Sequence, residues 1–122
     1  MFILNAISMQ LFGIPNCNTV KKARDWLTGH GITYEFHDFK KNGVSQALLE
    51  SWLSQLPWEK LVNRAGLTWR KLSDAEKSAV IDANTALNLM LEKSSVIKRP
   101  VLVKDGKILC LGFTEATYKE LL

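Results

Sequence analysis

The chain is poor in cysteine and has no pairing motif. Its 122 residues include two thiols, Cys17 and Cys110, far apart in sequence. There is no Cys-x-x-Cys and no Cys/His cluster at metal-ligand spacing, so no metal site is expected. A secreted disulfide framework would need more cysteines, and a reducing cytoplasm fits this usage best. A transmembrane run is also missing. The opening Met1-Phe2-Ile3-Leu4 is apolar, but Asn5, Ser8 and Gln10 interrupt it and no basic region precedes it. It reads as the frayed lead-in to a strand and not as a signal peptide, and no membrane contact is expected. No basic block resembles a nucleic-acid arm. Sixteen basic and 12 acidic side chains leave a net charge of +4, a mixed surface whose small surplus favours small anionic ligands. Linkers, repeats and low-complexity segments are absent. A hydrophobic fraction of 47% supports one core and one domain.

What is present alternates between strand and helix periods. Ile7, Met9 and Leu11 face one way and Ser8, Gln10 and Phe12 the other, which predicts a strand over Ile7 to Phe12. Gly13-Ile14-Pro15-Asn16 breaks it. A helix is expected from about Asn18, with Val20, Ala23, Trp26 and Leu27 apolar, ending at Gly29 and Gly31. Tyr34 to Phe39 reads as a second strand, parallel to the first across the helix. Leu48, Leu49, Trp52, Leu53 and Leu56 make an amphipathic face after Ser45 that Pro57 stops, and Trp58 to Val62 reads as a short helical turn. Ser73 and Glu76 form a capping box that opens a helix to about Ala83, followed by a helix from about Thr85 to Glu92. Val101–Lys104 and Lys107–Leu111 flank Asp105-Gly106, a hairpin signal. Thr114 then caps a last helix, Glu115 to Leu121. The order β-α-β, helices, β-β-α implies a mixed four-stranded α/β sheet, with a helical lobe inserted at about 43–95.

Cys17 follows a strand and immediately precedes a helix. Its sulfur is expected near the free N–H groups of Asn18, Thr19 and Val20, where those groups and the helix dipole favour the thiolate. The thiolate is the nucleophile in exchange chemistry. The alternative is an inert buried cysteine, but Gly13, Pro15, Asn16 and Asn18 offer little apolar cover. In Ile97-Lys98-Arg99-Pro100-Val101 a proline enters a strand, where no ladder donor is lost. Arg99 reads either as a surface arginine or as an anion ligand, and the base rate for X-Pro bonds favours trans. For Cys110 the alternation predicts a buried position on the face of Ile108, opposite Leu109 and Leu111. His30 suits a helix end, and His37 lies in the second strand.

Three segments together resemble the glutaredoxin-linked arsenate reductase (ArsC) family, most closely its small bacterial subgroup often called YffB. They are Gly13-Ile14-Pro15-Asn16-Cys17-Asn18-Thr19-Val20-Lys21-Lys22-Ala23, Trp69-Arg70-Lys71-Leu72 and Ile97-Lys98-Arg99-Pro100-Val101-Leu102. The resemblance spans about residues 7 to 122. It implies a thioredoxin-like (glutaredoxin-like) fold over 1–122, with Cys17 as nucleophile and Pro100 as a cis-proline facing it. Family arsenate reductases set three arginines around the oxyanion. The first maps onto Arg64 and the second onto Arg99. The third falls at Cys110-Leu111-Gly112-Phe113, where no arginine stands, so the clamp on an oxyanion is incomplete.

The resemblance implies a glutathione-dependent thiol reductase. Cys17, Arg64 and Arg99 would be catalytic. Asn16, Asn18, Thr19 and Pro100 would bind substrate or glutathione. No tightly bound cofactor is expected. Glutathione would be a co-substrate, glutaredoxin a partner, and a small oxyanion or disulfide the substrate, with the protein a cytoplasmic monomer. The alternative is an RNA polymerase-binding regulator of the related Spx type. Those proteins often carry Cys-x-x-Cys, and here Val20 takes the place of the second cysteine.

Overall fold

The structure, a computed structural model, describes residues 8–122. The lead-in segment and Ile7 of the expected first strand lie outside them. The chain forms two compact units: the residues up to His37 together with Arg99–Leu122, and Asp38–Lys98.

The first unit carries β1 (Met9–Gly13), α1 (Asn18–Gly29), β2 (Glu35–Asp38, its last residue in the second unit), β3 (Val101–Lys104), β4 (Lys107–Leu111) and α8 (Glu115–Leu121). The strands form a mixed four-stranded sheet in the order β2-β1-β3-β4, the thioredoxin-like arrangement. β1 runs antiparallel to β3 with Leu11 opposite Leu102, and β3 antiparallel to β4. Asp105 and Gly106 both have positive φ, 50° and 80°, which suits the right-handed twist of a two-residue hairpin.

Strand alternation and the α1 stripe meet in one core. Met9 and Leu11 of β1, Ala23 and Leu27 of α1, Leu102 and Tyr118 pack together, with Trp26, Ile32, Tyr34 and Phe36 against them. Gly13 marks where β1 passes the first turn of α1. A Cβ there would lie 2.8 Å from Val20 Cγ2, closer than packed atoms tolerate, so the residue before the Cys17 turn has to be small.

One strand departs from simple alternation. Leu102 faces Cys110 while Val103 faces Ile108, so Leu109 is the extra residue of a β-bulge. Leu109 and Cys110 consequently pack against the same core cluster, instead of on opposite faces as period two predicts.

The second unit holds α2 (Phe39–Asn42), α3 (Gln46–Leu53), α4 (Trp58–Leu61), α5 (Leu67–Arg70), α6 (Asp74–Ser78), α7 (Ala83–Glu92) and a 3-10 turn, Ser94–Val96. Its boundaries follow its caps. β2 stops at Asp38, one residue short of expectation, because the Asp38 carboxylate accepts the Lys40 and Lys41 N–H groups and starts α2. The Ser73 capping box is present, but its helix ends at Ser78 and not near Ala83. A second box, Asp82 with Thr85, opens α7 two residues earlier than expected. The turn α5 was not expected, and Leu56 lies beyond the end of α3. Leu49, Trp52, Leu61, Met90 and Ile97 are among the fully buried side chains of this unit. A Val62–Ile97 bridge and a Lys98 N–H to Leu61 carbonyl bond of 2.8 Å hold the chain that leads into Arg99. Among the described residues no helix is long and apolar enough to cross a membrane.

Candidate functional site

Cys17 is the N-cap of α1. Its extended backbone (φ −147°, ψ 122°) turns the chain from β1 into the helix, and its carbonyl accepts the Lys21 N–H at 2.9 Å. The thiol is free and half-buried. Burial alone would push its pKa up. The Val20 N–H, the Arg99 guanidinium as both donor and charge, and the Thr19 N–H outweigh burial, and the net shift is downward. The two N–H groups face the sulfur without closing a full cap hydrogen bond. No acidic residue occupies the first turn of α1 to oppose them. Of the three amides expected at the sulfur, those of Thr19 and Val20 contribute.

Arg99 and Pro100 enter from the other side, at the start of β3. Their peptide bond is cis, the isomer that the family resemblance implies and that base rates disfavour. Pro100 is buried and Arg99 half-buried. The Pro100 carbonyl accepts the Gly112 N–H at 2.8 Å, and Gly112 has φ +79°. The place matched to the family's third arginine is therefore a left-handed turn hydrogen-bonded to the cis-proline, a backbone conformation that suits glycine and disfavours a long side chain. The absence of an arginine is plain in the sequence, where the turn is marked only by a glycine directly after a strand.

The remaining expected residues fall into place unevenly. Asn16, Asn18 and Thr19 are exposed around the Cys17 turn. Arg64 belongs to the second unit, is exposed, and lies with its guanidinium carbon 5.4 Å from the Trp58 ring centroid. Cys110 is the chemical opposite of Cys17: burial raises its pKa, and its sulfur lies 3.6 Å from the carbonyl oxygens of Leu111 and Gly112. His30 occupies the C-cap of α1, stacked on Trp26 at 3.8 Å with Nδ1 2.8 Å from the Trp26 carbonyl oxygen. His37 packs on Phe12 at 4.9 Å. Among the described residues no group of three His, Cys, Asp or Glu side chains could hold a metal ion.

Arg24 donates from Nε to the Tyr34 hydroxyl at 3.0 Å and lies over the Phe36 ring at 4.0 Å. A helix cation is fixed there by two strand-side aromatics.

The model of the ArsC family matches residues 12–121. An uncharacterised protein of Haemophilus influenzae is 40% identical over 109 residues, covering 89% of this chain and 94% of its own length. A solved structure described as the YffB protein aligns with a TM-score of 0.86 at 43% identity, over 93% of this chain and 98% of its own. A solution structure of an arsenate reductase (ArsC) related protein from Brucella melitensis aligns with a TM-score of 0.76 at 48% identity, over 96% of each chain. The global transcriptional regulator Spx of Streptococcus pyogenes is 29% identical over 108 residues, covering 86% of this chain and 78% of Spx.

Proposed function

Because the chain belongs to the ArsC family, we propose that it is a glutathione-dependent thiol reductase that works through one nucleophilic cysteine, Cys17. The observation that carries this reading is the convergence of the Arg99 guanidinium and the Val20 and Thr19 N–H groups on the Cys17 sulfur. Such surroundings favour the thiolate over the thiol and leave the half-buried sulfur reachable.

With a disulfide substrate the chemistry balances in two exchanges. The Cys17 thiolate attacks one sulfur, a new S–S bond forms to Cys17, and the other sulfur leaves as a thiolate that takes a proton. A glutathione thiolate then attacks the mixed disulfide and restores Cys17. When the group on Cys17 is itself glutathione, taken from a glutathionylated substrate, the product is oxidised glutathione and one free glutathione is spent for each mixed disulfide reduced. Glutaredoxin could supply the second thiol. Arg99 steadies the thiolate as attacking and leaving group. Asn16, Asn18, Thr19 and Pro100 line the approach. The part of Arg64 rests on the family resemblance alone. Gly112 in place of a third arginine favours disulfides over arsenate, because one cation of the oxyanion clamp is missing. On this reading the chain acts as one thioredoxin-like domain with a helical insertion, as a cytoplasmic monomer. The polymerase-binding alternative is less well supported, since YffB and the Brucella ArsC-related protein are more similar to the chain than Spx is.

Mass spectrometry after exposure to oxidised glutathione tests the proposal. One glutathione should be added, on Cys17, with Cys110 unmodified. A Cys17–Cys110 disulfide in place of the adduct would contradict the single-cysteine route.

A further inference from the structure

A shallow open groove of about 480 Å³ runs along α1, lined by Lys21, Arg24, Asp25, Thr28, Gly29 and Tyr34. That volume lies within the range of small-molecule sites. It begins one helical turn beyond the thiol. Lys21, Arg24 and Thr28 share one face of α1, whose N-cap is Cys17. With the α-helical rise, Lys21 lies about 6 Å and Arg24 about 10 Å further along the axis than Cys17.

The charges in the groove are of both signs and are not all mobile. Arg24 is held by the Tyr34 hydroxyl and the Phe36 ring, so its fork is oriented before any ligand arrives. Lys21 adds a second cation one turn closer to the thiol. Asp25 adds a carboxylate next to Arg24 in the chain, further along α1 from the thiol than Lys21. A simple anion would gain from the two cations and lose from Asp25. A ligand that carries a carboxylate and an ammonium on the same carbon would gain from both.

We propose that this groove receives the γ-glutamyl head of a glutathione whose sulfur is at Cys17. The inference rests on the thiol reductase reading of Cys17 and names how its co-substrate is recognised. In glutathione the free α-carboxylate and α-ammonium sit on the glutamyl α-carbon. Extended, that carbon lies on the order of 9 Å from the cysteine sulfur by ordinary bond lengths. The span matches the distance along α1 from Cys17 to Arg24 and Asp25. The carboxylate would meet Arg24 and Lys21, and the ammonium Asp25.

The test compares rates of mixed-disulfide formation on Cys17 with oxidised glutathione and with bis(2-hydroxyethyl) disulfide, which has no charged head. The readout is the ratio of the two rate constants, because a merely structural change moves both rates together. Arg24→Met keeps apolar cover over Phe36 and should lower the ratio about tenfold, the scale of a charge-assisted hydrogen bond. Arg24→Lys should retain part of the preference. Asp25→Asn alters an exposed side chain without threatening the fold, and should lower the ratio about threefold, the weaker contribution of a solvent-exposed pair. Lys22→Met removes a neighbouring cation outside the groove and sets the size of any general charge effect. Equal falls for Lys22→Met and Arg24→Met, or unchanged ratios for Arg24→Met and Asp25→Asn, would overturn the groove while leaving the Cys17 reading in place. Failure of the wild-type thiol to react with either disulfide would overturn both.

Discussion

Replacing Cys17 by serine should abolish thiol–disulfide exchange, a loss of about three orders of magnitude or more, because a hydroxyl is not ionised at neutral pH. The fold should survive. Cys17 occupies an N-cap, and serine is among the best N-cap residues, able to accept the N–H groups that now face the sulfur. Loss of activity with an unchanged melting profile would therefore report chemistry and not structure. Arg99→Met should give a graded effect: about tenfold slower reaction at neutral pH, narrowing as pH rises and the thiolate forms without help. Cys110→Ser should leave the rate near that of the wild type, since burial holds that thiol protonated. Initial rates with a small disulfide substrate, measured across pH, check all three. A Cys17→Ser variant that keeps most of its activity would place the chemistry elsewhere.

The second large effect concerns Tyr118. It is fully buried in the first unit, edge-on to Phe113 at 4.7 Å and to Trp26 at 5.6 Å. Among the described residues its hydroxyl has no hydrogen-bond partner. Burial, and secondarily the nearby Cys110, push its ionisation far upward. The ring and the hydroxyl therefore pull in opposite directions. Tyr118→Ala should cost about 3–5 kcal/mol through the cavity it leaves. Tyr118→Phe should be neutral or stabilise by about 1 kcal/mol, because it removes an unpaired polar atom and keeps the ring. Denaturant melts of the two variants separate the contributions. Destabilisation of the Phe variant by more than about 2 kcal/mol would mean that the hydroxyl has a partner.

Local signals in the sequence account for most of the first unit. The strand–turn–helix corner at Cys17, the α1 limits, the Asp105-Gly106 hairpin and the Thr114 cap all follow from short-range chemistry. Errors arose where a single residue overrode a period. The Leu109 bulge reversed the side assigned to its neighbour, since alternation carries no mark of an inserted residue. The Asp82 cap began α7 early, while α6 had already stopped at Ser78. At the site, the amide contribution to Cys17 was legible because a cap position fixes it. The approach of Arg99 was not, because it depends on β3 returning beside β1 from some eighty residues away. The family resemblance supplied that pairing. Neither route revealed Arg24, whose role is set by aromatics on the far side of a turn.

The fold favours the thiolate form of Cys17, and titration of thiolate absorbance in a Cys110→Ser background tests this most directly. A depressed pKa contributes stability that is fully present above the pKa of the unfolded thiol and lost as pH falls through the folded value. The absorbance midpoint should accordingly fall below the free-thiol value of about 8.5 and move upward in Arg99→Met. A midpoint at or above about 8.5, or one indifferent to Arg99, would contradict the account.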